Sequence, residues 1–187
     1  MPVYLSLLRG INVSGQKKIK MDQLRSVYKI LHFDEVETYI QSGNVVFYSK
    51  ETDISLLKNN IEKKIENTFN FKVKTFIRTP EDFKRIIKNN PFAEEALQDE
   101  TKLCVTFLSE IPDKSLLLKL EDYDKKGNQF VVSDREIWLY CPDGYGRSKI
   151  NNNYFENKLK IHATTRNWRS VNRLNEMASE PSIHGNK

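Results

Sequence analysis

Residues 3 to 9 are mostly apolar and read as a strand, whose side chains fall alternately on two faces. Val3, Leu5 and Leu7 fall on one face and Tyr4, Ser6 and Leu8 on the other, which predicts a strand with a Val3/Leu5/Leu7 core face. Met21, Leu24, Val27, Tyr28 and Leu31 then recur at helical spacing. Val36 to Gln41 reads as a second strand and Ser42-Gly43-Asn44 as a tight turn whose glycine is free to take positive φ. The chain returns through Val45 to Ser49. Asp53 is placed to cap a helix with the stripe Ile54, Leu57, Ile61, Ile65 and Phe69. Lys72 to Arg78 reads as a fourth strand, and Thr79-Pro80-Glu81 opens another helix with proline in its first turn. Strand, helix, strand, strand, helix, strand is the order of a split βαβ, ferredoxin-like unit.

The order repeats. Leu103 to Leu108 is a strand, Pro112 to Tyr123 a helix, Gln129 to Val132 and Glu136 to Cys141 a hairpin, and Ile150 to Leu159 a helix. A short strand near Ile161 closes the second unit, and a last helix runs from about Asn167 to Ala178. The pattern predicts an α+β chain of two ferredoxin-like units plus a C-terminal helix. Its expected boundaries are 1–80 for the first unit, 81–100 for a connecting helix and linker, 101–179 for the second unit with its C-terminal helix, and 180–187 for a polar, disordered tail.

Composition narrows the classes. No apolar run reaches the roughly 18 residues of a membrane span, and no basic-then-apolar leader is visible. Cys104 and Cys141 lie in strand patterns without metal-ligand spacing and read as buried, inert thiols of a cytoplasmic protein. The formal charge of +5 is uneven. Lysine and arginine crowd residues 9–29 and 145–173, which hold Asp22 and Glu156 as their sole acidic side chains. Two such segments form one field if the fold brings them together. They are ordinary solvated faces if it does not.

Three polar strings hold the candidate chemistry. In the first, Arg9 offers a planar fork for phosphate or carboxylate, and Gly10, Asn12 and Gly15 lie in the loop that leads through Lys20 into the first helix. In the second, Tyr39, Gln41 and Asn44 surround the turn at Gly43, and turn chemistry alone accounts for most of it. In the third, Thr165 or Asn167 is placed to cap the last helix, leaving Arg166 at its positive end. On that helix Arg166, Arg169 and Arg173 share a face opposite Trp168, Val171, Leu174 and Ala178. Lys149 adds a cation in the loop before the helix expected from Ile150. Tyr4, Tyr39 and Tyr48 are expected on the sheet face away from Val3, Leu5 and Leu7, with Trp138 and Tyr140 on a matching face in the second half. Such aromatics either stack bases or bury against the other unit. No phosphate-loop, dinucleotide or zinc motif is present, and three scattered histidines support neither a metal site nor a catalytic triad. Neither metal nor cofactor is expected.

The strings Leu7-Leu8-Arg9-Gly10-Ile11-Asn12-Val13, Thr38-Tyr39-Ile40-Gln41-Ser42-Gly43-Asn44-Val45 and Ala163-Thr164-Thr165-Arg166-Asn167-Trp168 together resemble the bacterial domain-of-unknown-function 1697 family. Ser14 stands where that family usually has glycine. The resemblance implies a cytosolic α+β protein of duplicated ferredoxin-like character and carries no activity, substrate or cofactor with it.

Three functions fit these residues. The leading one is a module that binds an anionic ligand, nucleic acid or a phosphorylated small molecule, through Arg9, the Gly10–Gly15 loop, Lys149 and Arg166. The second is an enzyme acting on a phosphate- or carboxylate-bearing substrate, with Tyr39 or Lys20 as acid or base. The third is a structural or protein-interaction module in which the arginines hold backbone.

Overall fold

The computed structural model describes residues 1–120 and 127–179. In the first half β1 (Val3–Leu8), α1 (Met21–Ile30), β2 (Asp34–Tyr39), β3 (Asn44–Tyr48), α2 (Ile54–Phe69) and β4 (Thr75–Arg78) follow one another as the periodicity predicts. The strands form one antiparallel sheet in the order β2-β3-β1-β4. Next come α3 (Pro80–Lys88) and α4 (Ala93–Gln98). The second half runs β5 (Leu103–Leu108), α5 (Lys114–Leu117), β6 (Gln129–Ser133), β7 (Glu136–Tyr140), α6 (Asn152–Leu159) and β8 (Ala163–Asn167). Its sheet has the order β6-β7-β5-β8, the same topology, and α7 (Trp168–Ser179) follows it. These are two ferredoxin-like units and a C-terminal helix. As compact bodies, one unit comprises Met1–Lys84 with the chain from Arg173 on, and the other Arg85–Asn172.

Local chemistry explains the elements that hold the first unit. The Asp53 carboxylate accepts from the Ser55 and Leu56 amides and caps α2, which ends at Asn70 in the left-handed conformation. Leu57, Ile61 and Ile65 then meet Leu24, Val27 and Tyr28 of α1 over Tyr4, Leu8, Val45 and Phe47 of the sheet. Tyr28, wholly buried, shares a 2.6 Å hydrogen bond with the Ser6 hydroxyl, which satisfies both polar atoms inside this core.

The helix-covered face is therefore the Tyr4/Ser6/Leu8 face, the reverse of the expected one. Leu5 and Leu7 are also fully buried, on the opposite face. Both faces of β1 are apolar, so alternation cannot orient the strand. Tyr48 pairs with Val3, and Tyr39 pairs with Asn44, the partner of Leu7. Both tyrosines thus share the Leu5/Leu7 face, and Tyr4 packs on Phe47 in the core. In the second unit Trp138 is buried and donates its indole N–H to the Ile86 carbonyl at 3.2 Å. Tyr4 and Trp138 are thus enclosed, not open stacking platforms.

Two further expectations are corrected. The last strand is not a short segment near Ile161 but Ala163–Asn167. Thr164 and Thr165 favour extended backbone and pair with Phe107 and Thr106. Arg166 accordingly sits in a strand opposite Val105, not on the arginine face of α7. Thr165 does not cap α7. That role falls to Asn167, whose side-chain oxygen accepts from the Ser170 amide at 2.8 Å. The helix expected from Pro112 to Tyr123 is α5, Lys114–Leu117, with residues 121–126 outside the described part, as is the expected tail. α4 was not expected, because it buries none of its residues and so carries no apolar stripe.

Cys104 and Cys141 are buried in the second core beside Leu108, Ile137, Leu139 and Phe155. Burial pushes the Cys104 thiol up to about 12, helped by the neighbouring Cys141, whose own thiol is raised by burial and partly relieved by a hydrogen bond with Ser148. A raised native pKa means that the unfolded chain loses its protons first. This contribution to stability is complete below the unfolded thiol value of about 8.5 and declines as pH rises from there toward that of Cys104. We expect a thiol-specific chromogenic disulfide reagent to leave both cysteines untouched in the native protein at pH 8 and to label them on denaturation. Fast native labelling would contradict this account.

Candidate functional site

After β1 the chain enters a loop pinned at its start, where the Leu8 amide donates to Gly43 O at 2.8 Å and the Arg9 amide to Lys74 O at 2.9 Å. Positive φ recurs at Gly10, Asn12, Ser14, Gly15 and Lys17. Asn12 is the clasp. Its Oδ1 accepts from the Ile19 amide at 2.8 Å, while Nδ2 donates to Ile19 O at 2.9 Å and to Gln41 O at 2.8 Å. A short amide side chain tolerates φ of 55° where most residues do not. Lys17 Nζ donates to Lys72 O at 2.8 Å, and Ile11 and Ile19 are sunk in the core. The loop is a strap held at several points.

Between this strap and the start of α1 lies an open hollow of about 530 Å³, lined by Asn12, Gly15, Lys18, Lys20, Gln41 and the first turn of the helix. Lys20 occupies the N-cap position, and no side chain there bonds the helix amides. The N–H groups of Met21, Asp22 and Gln23 therefore end the helix as a partial positive charge at the hollow. Asp22, also in the lining, pairs with Arg25, and Arg25 donates in turn to Thr38 Oγ1 at 2.6 Å. Both lysines at the hollow are exposed.

Of the residues singled out in the sequence, Asn12, Gly15, Lys20 and Gln41 meet at this hollow. Gly10 is exposed with open space where a Cβ would stand. Arg9 and Tyr39 are half-buried and do not line it. Asn44 is fully buried, its Nδ2 donating to Tyr39 O at 3.1 Å and Ser42 Oγ at 2.8 Å, so it shapes the turn. In the second unit Lys149 is exposed in the loop before α6. Arg166 is buried, with Nη1 donating to Thr164 Oγ1 at 2.9 Å and Thr165 O at 2.8 Å. Burial lowers its pKa to about 10, opposed by Tyr145, so it remains a cation at neutral pH.

Lys18 and residues 21–23 also line the hollow, beyond the site residues named from the sequence. The signal was an absence, a lysine where a serine, threonine, aspartate or asparagine cap is normally found. Arg78 was also passed over. It is 1% exposed and pairs with Leu5 as Arg166 pairs with Val105, the equivalent place in the second sheet. A buried arginine thus stands at the same station of both sheets. Glu136 is also fully buried, and Arg85 reaches it at 3.2 Å while holding Asp134 at 2.9 Å. Among the described residues no group of histidine, cysteine and carboxylate side chains is placed to hold a metal ion, and no helix is long and apolar enough to cross a membrane.

Residues 1–138 match the family described as "Protein of unknown function (DUF1697)". The chain belongs to that family. The match spans the hollow and every residue around it and ends within β7, so Lys149, Arg166 and Asn167 lie beyond the matched DUF1697 stretch. Among solved structures, the fold is similar to that of the conserved bacterial protein SP0830 from Streptococcus pneumoniae, at 24% identity and a TM-score of 0.73 over 96% of this chain and 99% of that one. No curated protein matches.

Proposed function

We propose that this DUF1697 protein binds a phosphorylated small molecule in the hollow between the 10–19 strap and α1. The observation that carries the reading is the uncapped helix start flanked by Lys18 and Lys20 on a strap already locked by Asn12. Three orphan amides and the helix dipole favour an anion there, and a preformed backbone loses little entropy on binding it. Neutralisation of Asp22 by Arg25 removes the main opposing charge. Asn12 and Gln41 act as frame, with Lys18 and Lys20 as the cationic contacts.

The test is a thermal-shift titration with inorganic phosphate against chloride at matched ionic strength. Saturation at 100 times the dissociation constant stabilises the native state by about 2.7 kcal/mol. Lys18→Glu combined with Lys20→Glu should lower phosphate affinity at least tenfold, while a lysine pair elsewhere, Lys63→Glu with Lys64→Glu, should leave it intact. No phosphate-specific stabilisation of the wild type would refute the reading. A short single-stranded oligonucleotide bound far more tightly than phosphate, with a steep salt dependence, would point to nucleic acid instead.

A further inference from the structure

The two sheets treat the same edge differently. β2 and β6 hold equivalent stations, each at the end of its sheet and paired with one neighbour. A strand so placed directs alternate N–H and C=O groups away from its sheet, and proteins guard such edges with charge, bulges or proline. β2 is guarded. Its register shifts between Asp34 and Glu37, Glu35 takes a φ of 45°, and all three carboxylates belong to the strand. β6 has none of these devices. It pairs with β7 residue for residue, from Gln129 against Tyr140 to Ser133 against Glu136. It holds neither charge nor proline, and Phe130, Val131 and Val132 are strong strand formers. Gln129, Val131 and Ser133 are exposed, Val131 by 40%. Among the described residues no strand pairs with the outer side of β6.

We propose that β6 is a dimerisation edge, on which two copies of this chain pair their β6 strands antiparallel about a two-fold axis at Val131. A two-fold antiparallel pair sets one residue opposite itself, and Val131 is the middle of the five. Phe130 then meets Val132 of the second copy, and Val132 meets its Phe130. These are two aromatic–branched pairs on the face that packs against the second core. On the other face Val131 meets Val131, with Gln129 against Ser133 on either side. Every pair matches apolar with apolar or polar with polar, and none opposes like charges. Just beyond the strand Asp134 faces Asn128 of the second copy, and Arg85 already holds that carboxylate at 2.9 Å. This self-match selects a second copy as the occupant. A foreign strand would gain the backbone bonds alone, whereas a second copy supplies a fitting side chain at every position.

Sedimentation equilibrium of the full chain over about a hundredfold range of concentration reads the association, because a weak dimer dissociates on dilution. We expect a reversible monomer–dimer equilibrium for the wild type. Val131→Lys and Val131→Glu each set like charges face to face on the axis and should weaken dimerisation about tenfold or more. Mixed in equal amounts, the two variants should associate again, since lysine then faces glutamate. Position 131 is exposed, so each variant should keep the circular dichroism of the wild type. Leu56→Lys, at an exposed aliphatic of the first unit, should leave the association unchanged. A wild type that stays monomeric throughout overturns the proposal, as does a dimer that survives both single substitutions. Variants that are monomeric alone and remain so when mixed refute the two-fold pairing. A monomeric wild type that instead binds an unrelated valine–threonine peptide through β6, read by amide exchange at Phe130 and Val132, gives the edge to a foreign strand and also overturns it.

Discussion

Gly43→Ala is expected to destabilise the first unit by about 3 kcal/mol, the sum of a left-handed backbone penalty and an overpacked core. Gly43 has φ of 76°, and a Cβ there would come within 2.7 Å of Leu8 Cβ and 2.8 Å of Ile11 Cδ1. Neither neighbour can retreat, since Leu8 and Ile11 are buried and the Leu8 amide is bonded to Gly43 O itself. Gly10→Ala separates the two causes. Gly10 has φ of 67° but no atom within 4 Å of the added methyl, so its substitution should cost only the backbone share, about 1 kcal/mol. Denaturant midpoints of the two variants against wild type measure the difference. Equal losses would show that the approach to Leu8 and Ile11 is not the controlling contact.

Asn12→Ala is expected to cost about 2 kcal/mol and, with it, at least tenfold in phosphate affinity. Three hydrogen bonds disappear, those to the Ile19 amide, Ile19 O and Gln41 O, and alanine must also take a φ that asparagine tolerates. Asn12→Gly removes the bonds without the backbone penalty. It should recover part of the stability and none of the affinity, because the strap is then free to move away from α1. Amide hydrogen exchange at Ile19, whose N–H donates to Asn12, reads the loosening directly. Full affinity in Asn12→Gly would mean that the clasp does not shape the site.

The elements most readable along the chain were those whose signals are local. Asp53 announces α2 because a carboxylate two and three residues ahead of free amides caps them wherever the helix sits. Gly43 announces a turn because positive φ is a property of one residue. The stripe Leu57, Ile61, Ile65 specifies which side of α2 is buried before any partner is known. Signals failed where two local preferences agree with more than one outcome. β1 is buried on both faces, so its pattern could not decide which face meets the helices, and assigning Val3, Leu5 and Leu7 to that face left Tyr4 on the wrong one. Thr164 and Thr165 suit a cap and a strand alike, and pairing with β5 settled it.

The candidate site divides in the same way. Its materials are evident in the order of residues: a glycine-bearing loop after a strand, lysines running into a helix, an asparagine fit for positive φ. Period and residue chemistry were enough for two βαββαβ units, since each element's propensity acts over a few neighbours. The assignment of roles required distance across the fold. Asn12 is a clasp because Ile19 and Gln41 come within 3 Å of its amide, and Gln41 lies 29 residues away. Arg166 is buried in its strand because β8 pairs with β5, and the start of α1 opens on a hollow because the strap is tied back by Asn12 and Lys17. Such contacts join residues whose separation along the chain carries no periodic trace. Pairing and burial select them once the sheets have formed.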